Sequence, residues 1–229
     1  EKDVIAYDCT ENDFSYTASQ LIQYFTENPV DTLVLINPDN PTGHCMDADG
    51  IKSLLQWSKE CGINLIMDES FLDFADTEDL SLLSEQVLRE NRNLYVVKSI
   101  SKSYGVPGLR LGILASGNTD MIEHLKKDVS IWNINSMAEF FMQILDKYKS
   151  DYTDSLRKIK EERSRFFDEL CMIKNLKVYP SQANYFMCEI LDGMSSETLA
   201  GRLLKKNILI KDLTGKIHNG KQYIRIAIR

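Results

Sequence analysis

The sequence predicts an α/β protein, with a mostly parallel sheet covered by helices and a smaller α+β domain behind it. The continuous apolar run Thr32–Ile36 has the character of a strand buried on both faces, as parallel strands between helix layers are, 63–67 reads as the next strand, and the apolar run 94–97 as a further buried strand. The stretches between them carry apolar residues at helical spacing, so strand and helix alternate in the manner of parallel crossovers. Beyond residue 150 the runs give way to alternating apolar and polar residues, the pattern of half-buried strands. A boundary near residue 150 divides the chain into a large domain, 1–150, and a smaller one, 151–229.

In chain order, Val4-Ile5-Ala6-Tyr7 reads as a strand, and residues 18–26 as a helix with Leu21, Ile22 and Phe25 inward. Thr32–Ile36 runs into Asn37-Pro38-Asp39-Asn40-Pro41-Thr42-Gly43, where two prolines and a glycine forbid regular structure. Asp47 caps the next helix, with Ile51, Leu54, Leu55 and Trp57 inward, and Gly62 ends it. The strand at 63–67 leads into Asp68-Glu69-Ser70-Phe71. Residues 81–91 read as a helix, 94–97 as a strand, and 109–115 as another strand. Helices follow at 118–128, 136–149 and 151–173, the last with Leu156, Ile159, Phe166, Phe167 and Leu170 inward and a charged, solvated opposite face. Strands at 176–179, 185–190, 208–210 and 223–228 and a helix at 195–207 complete the chain.

Composition narrows the function. The net charge of −7 argues against a nucleic-acid or anionic-membrane surface. No apolar run approaches the roughly 20 residues a membrane span needs, and Glu1-Lys2-Asp3 begins no signal-peptide pattern. Five scattered cysteines without a CxxC pair read as free thiols in a reducing compartment, so the expected location is the cytoplasm. The three histidines are too dispersed to suggest a metal site.

The chemistry concentrates at strand ends, where open α/β sheets bind ligands. Lys102 follows the strand at 94–97 among Ser99, Ser101 and Ser103. It is either a solvated surface lysine or an amine nucleophile, whereas Lys98, at the strand's end, reads as structural. Arg110, reached through Gly105 and Gly108, suits a phosphate that the guanidinium grips by two oxygens, or a structural ion pair. Asp68 ends an apolar strand, where a carboxylate is costly without a partner; a protonated ring nitrogen or a turn amide would serve. Asn40 either donates to a fixed acceptor or bonds its own turn. Arg225, sharing a strand face with Ala227 and Arg229, either meets a substrate carboxylate or is an edge-strand charge. Together the set describes an amine nucleophile, a phosphate cradle, a carboxylate for a ring nitrogen, an amide donor and a substrate arginine, which suits pyridoxal phosphate.

With these motifs the sequence resembles the fold-type-I, class I/II aminotransferases over nearly its whole length. The resemblance implies that Lys102 forms the internal aldimine with pyridoxal 5'-phosphate, that Ser99 and Arg110 bind its phosphate, that Asp68 keeps the pyridine nitrogen protonated and that Asn40 bonds the phenolic oxygen. It implies substrate contacts from Arg225, to the α-carboxylate, and from Asn184. Trp132-Asn133-Ile134-Asn135-Ser136, Ala183-Asn184-Tyr185-Phe186 and Arg225-Ile226-Ala227-Ile228-Arg229 are most similar to the histidinol-phosphate aminotransferase and threonine-phosphate decarboxylase branch. There is also a likeness to the aminotransferase-like half of fused nucleotidyltransferases. The implied activity is transamination of an amino acid or phosphorylated amine in a homodimer. Decarboxylation is an alternative, because Phe71 stands where many members carry a tyrosine that also bonds the phenolic oxygen. A non-catalytic, truncated aminotransferase-like domain is another. The family's N-terminal arm, first glycine turn and ring-stacking aromatic residue have no counterpart in the sequence and would precede Glu1, leaving the pocket partial without them.

Overall fold

The structure is a computed structural model that describes residues 3–228. Glu1, Lys2 and Arg229 lie outside the described residues, and with Arg229 lies the expectation that it shares a face with Arg225. The described chain builds two four-stranded sheets.

Helix α1 (Ala18–Glu27) opens with a reciprocal capping box between Thr17 and Gln20, then leads to β1 (Thr32–Ile36). Helix α2 (Ala48–Glu60) starts where Asp47 accepts from the Gly50 amide at 2.7 Å. Strand β2 (Asn64–Asp68), helix α3 (Glu85–Glu90), strand β3 (Leu94–Ser99), the single turn α4 (Ile100–Ser103) and strand β4 (Gly112–Ser116) follow. Strands β1, β2 and β3 are parallel in that spatial order, but β4 returns antiparallel on β3. The expected strand at 109–115 therefore starts later, because Pro107–Leu109 forms a 3-10 turn, and it runs antiparallel: the connection is taken up by two single turns, α4 and 107–109, with no helix long enough to carry the chain back to the other end of the sheet.

The first sheet is buried on one face only. Leu33, Leu35, Leu65, Met67, Leu94 and Val96 pack against Leu21, Phe25, Ile51, Leu54 and Leu55 of α1 and α2. On the other face Val34 is 59% exposed and Leu114 45%. The expectation of burial on both faces fails for β1, since no described helix covers this second side. Val4 to Tyr7 form no strand, for want of a partner strand among the described residues; Tyr7 rests edge-on against Tyr16 and Tyr24. The helix expected at 81–91 shrinks to α3 because buried Glu69 accepts from the Leu82 amide (2.6 Å) and the Ser81 hydroxyl (2.7 Å). These bonds hold that stretch extended until Ser84 caps the helix.

Helices α5 (Thr119–Asp128) and α6 (Ser136–Ile144) are largely exposed, and α6 ends before the expected residue 149, in a 3-10 turn. Helix α7 (Lys149–Cys171) then leads to β5 (Leu176–Val178), β6 (Tyr185–Ile190), α8 (Ser196–Leu204), β7 (Lys211–Asp212) and β8 (Tyr223–Ala227). The second sheet is antiparallel in the order β5-β6-β8-β7. Strand β6 is buried along its whole length, against the half-buried expectation, because both of its faces are covered. Phe186, Cys188 and Ile190 pack towards Leu170 and Phe166 of α7, while Tyr185 meets Phe71 and Phe74, and Met187 meets Phe14. The strand expected at 208–210 is displaced to β7. Asn207 turns the chain at φ 61°, the Ile208 amide still bonds the end of α8, and Leu209 stays exposed.

Candidate active site

The carboxyl ends of β1, β2 and β3 lie side by side. Register pairs Ile36 with Asp68 and Asp68 with Val97, so the loops holding Asn40, Asp68 and Ser99 leave the sheet as neighbours. The Asn37 amide donates to the Asp68 carbonyl (2.9 Å) and the Glu69 amide to the Val97 carbonyl (2.8 Å), extending both pairings past the strands.

Asn40 does not bond its own turn. Its Oδ1 accepts from Arg225 Nη1 at 2.6 Å, and the Arg225 guanidinium lies 4.7 Å over the ring of Tyr185. A guanidinium can only donate, so the Asn40 oxygen faces Arg225 and its NH2 group is left as a donor for something else. Tyr185 closes the arrangement by donating from its hydroxyl to the Asp39 carbonyl (2.7 Å) and resting edge-on against Phe71, 5.1 Å away. Burial, reinforced by Asp39, pushes the Tyr185 hydroxyl's pKa up; Arg225 opposes the rise and Asp68 adds to it. The hydroxyl stays protonated and remains a donor. Arg225 is no edge charge, because β8 is an interior strand, flanked by β6 and β7.

Asp68 accepts at Oδ1 from the Ser70 amide (2.8 Å), and the Ser70 hydroxyl accepts from the Ser99 amide (3.0 Å). The turn role considered for Asp68 is thus realised by one oxygen; among the described residues Oδ2 takes no hydrogen bond. Lys102 lies on α4 rather than in a loop, exposed, one turn beyond Ser99. It lines a cleft of about 450 Å³ with Asn184, Phe74, Tyr104, Tyr152 and Ile159. Arg110 is exposed and left-handed (φ 58°), and its Nη1 donates to the Pro107 carbonyl at 3.2 Å. Hydrogen bonds therefore join Asn40 to Arg225 and Asp68 to Ser99 through Ser70, Lys102 and Asn184 line one cleft, and Arg110 turns back on its own loop.

Behind Lys102, Lys98 and Asp73 form a largely buried ion pair at 2.6 Å. Burial is the largest single influence and pushes the Asp73 carboxyl up, but the hydrogen bond and charge of Lys98, with the Ser103 and Tyr152 hydroxyls, together outweigh it and hold the group below its usual range. Ser103 and Tyr152 hydroxyls also border this carboxylate, yet both are buried without a hydrogen-bond partner among the described residues. Beside them Tyr152 stacks flat on Tyr104, 3.9 Å between centroids. The residue that sequence reasoning missed most plainly is Arg163, 4% exposed on α7. Its signal was legible, because the inward residues 156, 159, 166 and 170 leave 163 at the one unfilled place in a three–four repeat.

The donor set suits pyridoxal phosphate. An amine, an open carboxylate oxygen, an amide NH2 turned away from its own loop, a hydroxyl and a guanidinium stand on adjacent strand ends or the turns that follow them, with hydrogen-bonding capacity to spare.

The family described as aminotransferase class I and II matches residues 2–228. The L-serine phosphate decarboxylase of Campylobacter jejuni is 33% identical over all of this chain, which spans 60% of that protein. A solved decarboxylase from Sulfurospirillum multivorans superposes with a TM-score of 0.85 at 31% identity, over 96% of this chain and 63% of that one. The histidinol-phosphate aminotransferase of Clostridium acetobutylicum gives 0.81 at 27% identity, over 92% and 62%. No described helix is long and apolar enough to cross a membrane. With this match and a fold in agreement with it, the chain belongs to the class I and II aminotransferase family, whose members depend on pyridoxal phosphate.

Proposed function

We propose that this chain carries the cofactor lysine and most of the ring contacts of a pyridoxal-phosphate enzyme acting on the amino group of a small phosphorylated amine or amino acid. The observation that carries the reading is Lys102, an exposed amine on the turn after β3, opening into the cleft that Asn184 also lines. The relatives support the substrate class: one is named for L-serine phosphate and another for histidinol phosphate, and a phosphate ester is common to both.

Lys102 would anchor the cofactor, Asp68 would face its ring nitrogen, Asn40 its phenolic oxygen, and Ser99 and Arg110 its phosphate. Bound there, pyridoxal phosphate supplies an electron sink for the carbon that bears the substrate amine. Arg225 orients the substrate carboxylate, with Asn184 beside it. Lys102 would also be the group that moves a proton at the α-carbon, so that one amine would serve as anchor, base and acid. Asp68 would offer its open Oδ2 to the N–H of the ring nitrogen, while Oδ1 stays bonded to the Ser70 amide. The assembly expected for this reading is a cytoplasmic homodimer, with residues 1–150 and 151–229 as its large and small domains.

Transamination is the family's eponymous reaction. Decarboxylation is a second reading, favoured by Phe71, which offers no hydroxyl, and by the decarboxylase relatives. Both are tested on the native gene product. Loading with pyridoxal phosphate, reducing with borohydride and mapping the modified peptide should place the label on Lys102. A label on Lys98 or elsewhere would overturn the assignment. Incubation with O-phospho-L-serine, O-phospho-L-threonine and histidinol phosphate then separates the reactions, since carbon dioxide with an amine marks decarboxylation and an oxo compound marks transamination.

A further inference from the structure

A buried arginine with a single carboxylate partner is costly, and α7 carries one in the middle of its apolar stripe. Arg163 Nη1 donates to the Phe74 carbonyl at 2.6 Å and to the Ala183 carbonyl at 3.2 Å, and Nη2 pairs with Asp76 at 2.6 Å. The guanidinium thus holds two loops at once, one after β2 and one before β6. The loops also hold each other: the Asp76 amide donates to Gln182 Oε1 (2.7 Å) and Gln182 Nε2 to Asp76 Oδ2 (3.1 Å). The Gln182 amide reaches the Gly43 carbonyl (2.8 Å), bringing in the Asn40 loop.

What these loops present makes the clamp more than packing. Phe74 lines the Lys102 cleft, and so does Asn184, the residue after Ala183. Ile159, one turn earlier on α7, lines it as well. A hydrophobic residue of similar volume would fill the space without carbonyl contacts, and such replacements of buried charge are often neutral or stabilising. The fork geometry of a guanidinium, which can serve two carbonyls and a carboxylate in fixed directions, is what the site uses.

We propose that Arg163 is a positioning residue, a clamp that fixes Phe74 and Asn184 across the cleft from Lys102 and thereby sets how a substrate meets that amine. The proposal rests on the reading of Lys102 given above. Misplacement of a substrate by about 1 Å can reduce a rate by up to about 100-fold.

The test uses the native gene product loaded with pyridoxal phosphate. R163A is expected to lower kcat about tenfold with KM changed less than about twofold, and millimolar ethylguanidinium to restore most of the loss. Asp76→Asn weakens the same clamp at its exposed end and should lower kcat about two- to threefold; it carries the test if R163A does not fold. Amide exchange in the cofactor-free protein gives a readout independent of turnover. Asp76, Gln182 and Ala183 should exchange about tenfold faster in either variant, with β6 unchanged. Unaltered exchange, or faster exchange with kcat intact and no response to ethylguanidinium, would overturn the proposal. Failure of borohydride to trap the cofactor at Lys102 in the wild type would instead overturn the functional reading, and the exchange result alone would then decide whether the clamp exists.

Discussion

Two loops at the same edge of the first sheet are built differently. The loop after β1 is packed from several sides: Thr42 bonds Asp39, Asn37 Oδ1 accepts from the Met46 amide, Tyr185 holds the Asp39 carbonyl and Arg225 holds Asn40. The loop after β3 keeps its chemistry in the open. Lys102 and Arg110 are exposed, and the hydrogen bond Arg110 makes is to Pro107, three residues away. The second sheet therefore holds in place the residue proposed to face the cofactor ring's phenolic oxygen, while Lys102, the proposed anchor, is left exposed. An anchor that must let go, move a proton and return gains from such openness; an orienting amide gains from being held.

Glycine substitutions break this comparison most sharply. At Gly43, with φ +78°, an added methyl would stand 1.9 Å from Ser181 Oγ, and Ser181 is itself buried. Overpacking and left-handed strain together should destabilise G43A by about 2–4 kcal/mol, a fall in Tm of roughly 10 °C. Gly105 has φ +65° but open space around it, so G105A meets strain alone, about 1 kcal/mol and roughly 3 °C. Thermal denaturation of both variants is the measurement, and equal falls would contradict a rigid first loop and an open second one.

A smaller effect is expected from R225K. Lysine lacks the planar fork that stacks on Tyr185 while bonding Asn40. Steady-state kinetics of the native gene product should show KM for a carboxylate-bearing substrate raised about 10–100-fold, equivalent to about 1.4–2.8 kcal/mol, with G105A unchanged in KM. Asp73→Asn, which removes the pair with Lys98, should destabilise by about 1 kcal/mol at neutral pH, comparable to G105A. The folded Asp73 carboxyl lies below its ordinary 3.8, so the pair's contribution is complete above that value and is lost as pH falls through the depressed one. Denaturation curves of wild type and variant should converge in acid, and a stability gap that persists there would refute the assignment.

Much of this was legible in the sequence because it is local. Apolar runs, prolines and caps placed β1, β2, β3, α1 and α2, and the strand-end positions of Asn40, Asp68 and Lys102 followed from them. What was not legible depends on contacts distant in sequence. Residues 81–83 are helical by pattern, yet buried Glu69 binds them extended, and burial raises its carboxyl's pKa despite those bonds. The reversal of β4 rests on its antiparallel pairing with β3 after the two single turns at 100–103 and 107–109, and the burial of β6 on partners as remote as Phe14 and Phe71. Arg163 left a legible gap in the apolar stripe, but the three acceptors that let a guanidinium fill it come from loops distant in the chain.

The bond between Arg225 and Asn40 has a consequence for occupancy. One guanidinium N–H cannot serve the Asn40 oxygen and an incoming carboxylate at full strength together. A ligand that draws Arg225 away frees the amide to rotate, and one that fixes the amide restrains Arg225 in return. By linkage each event must alter the other's affinity by the same factor. In this fold the two ends of the site, 185 residues apart in the chain, are joined by a single hydrogen bond that makes them thermodynamic partners.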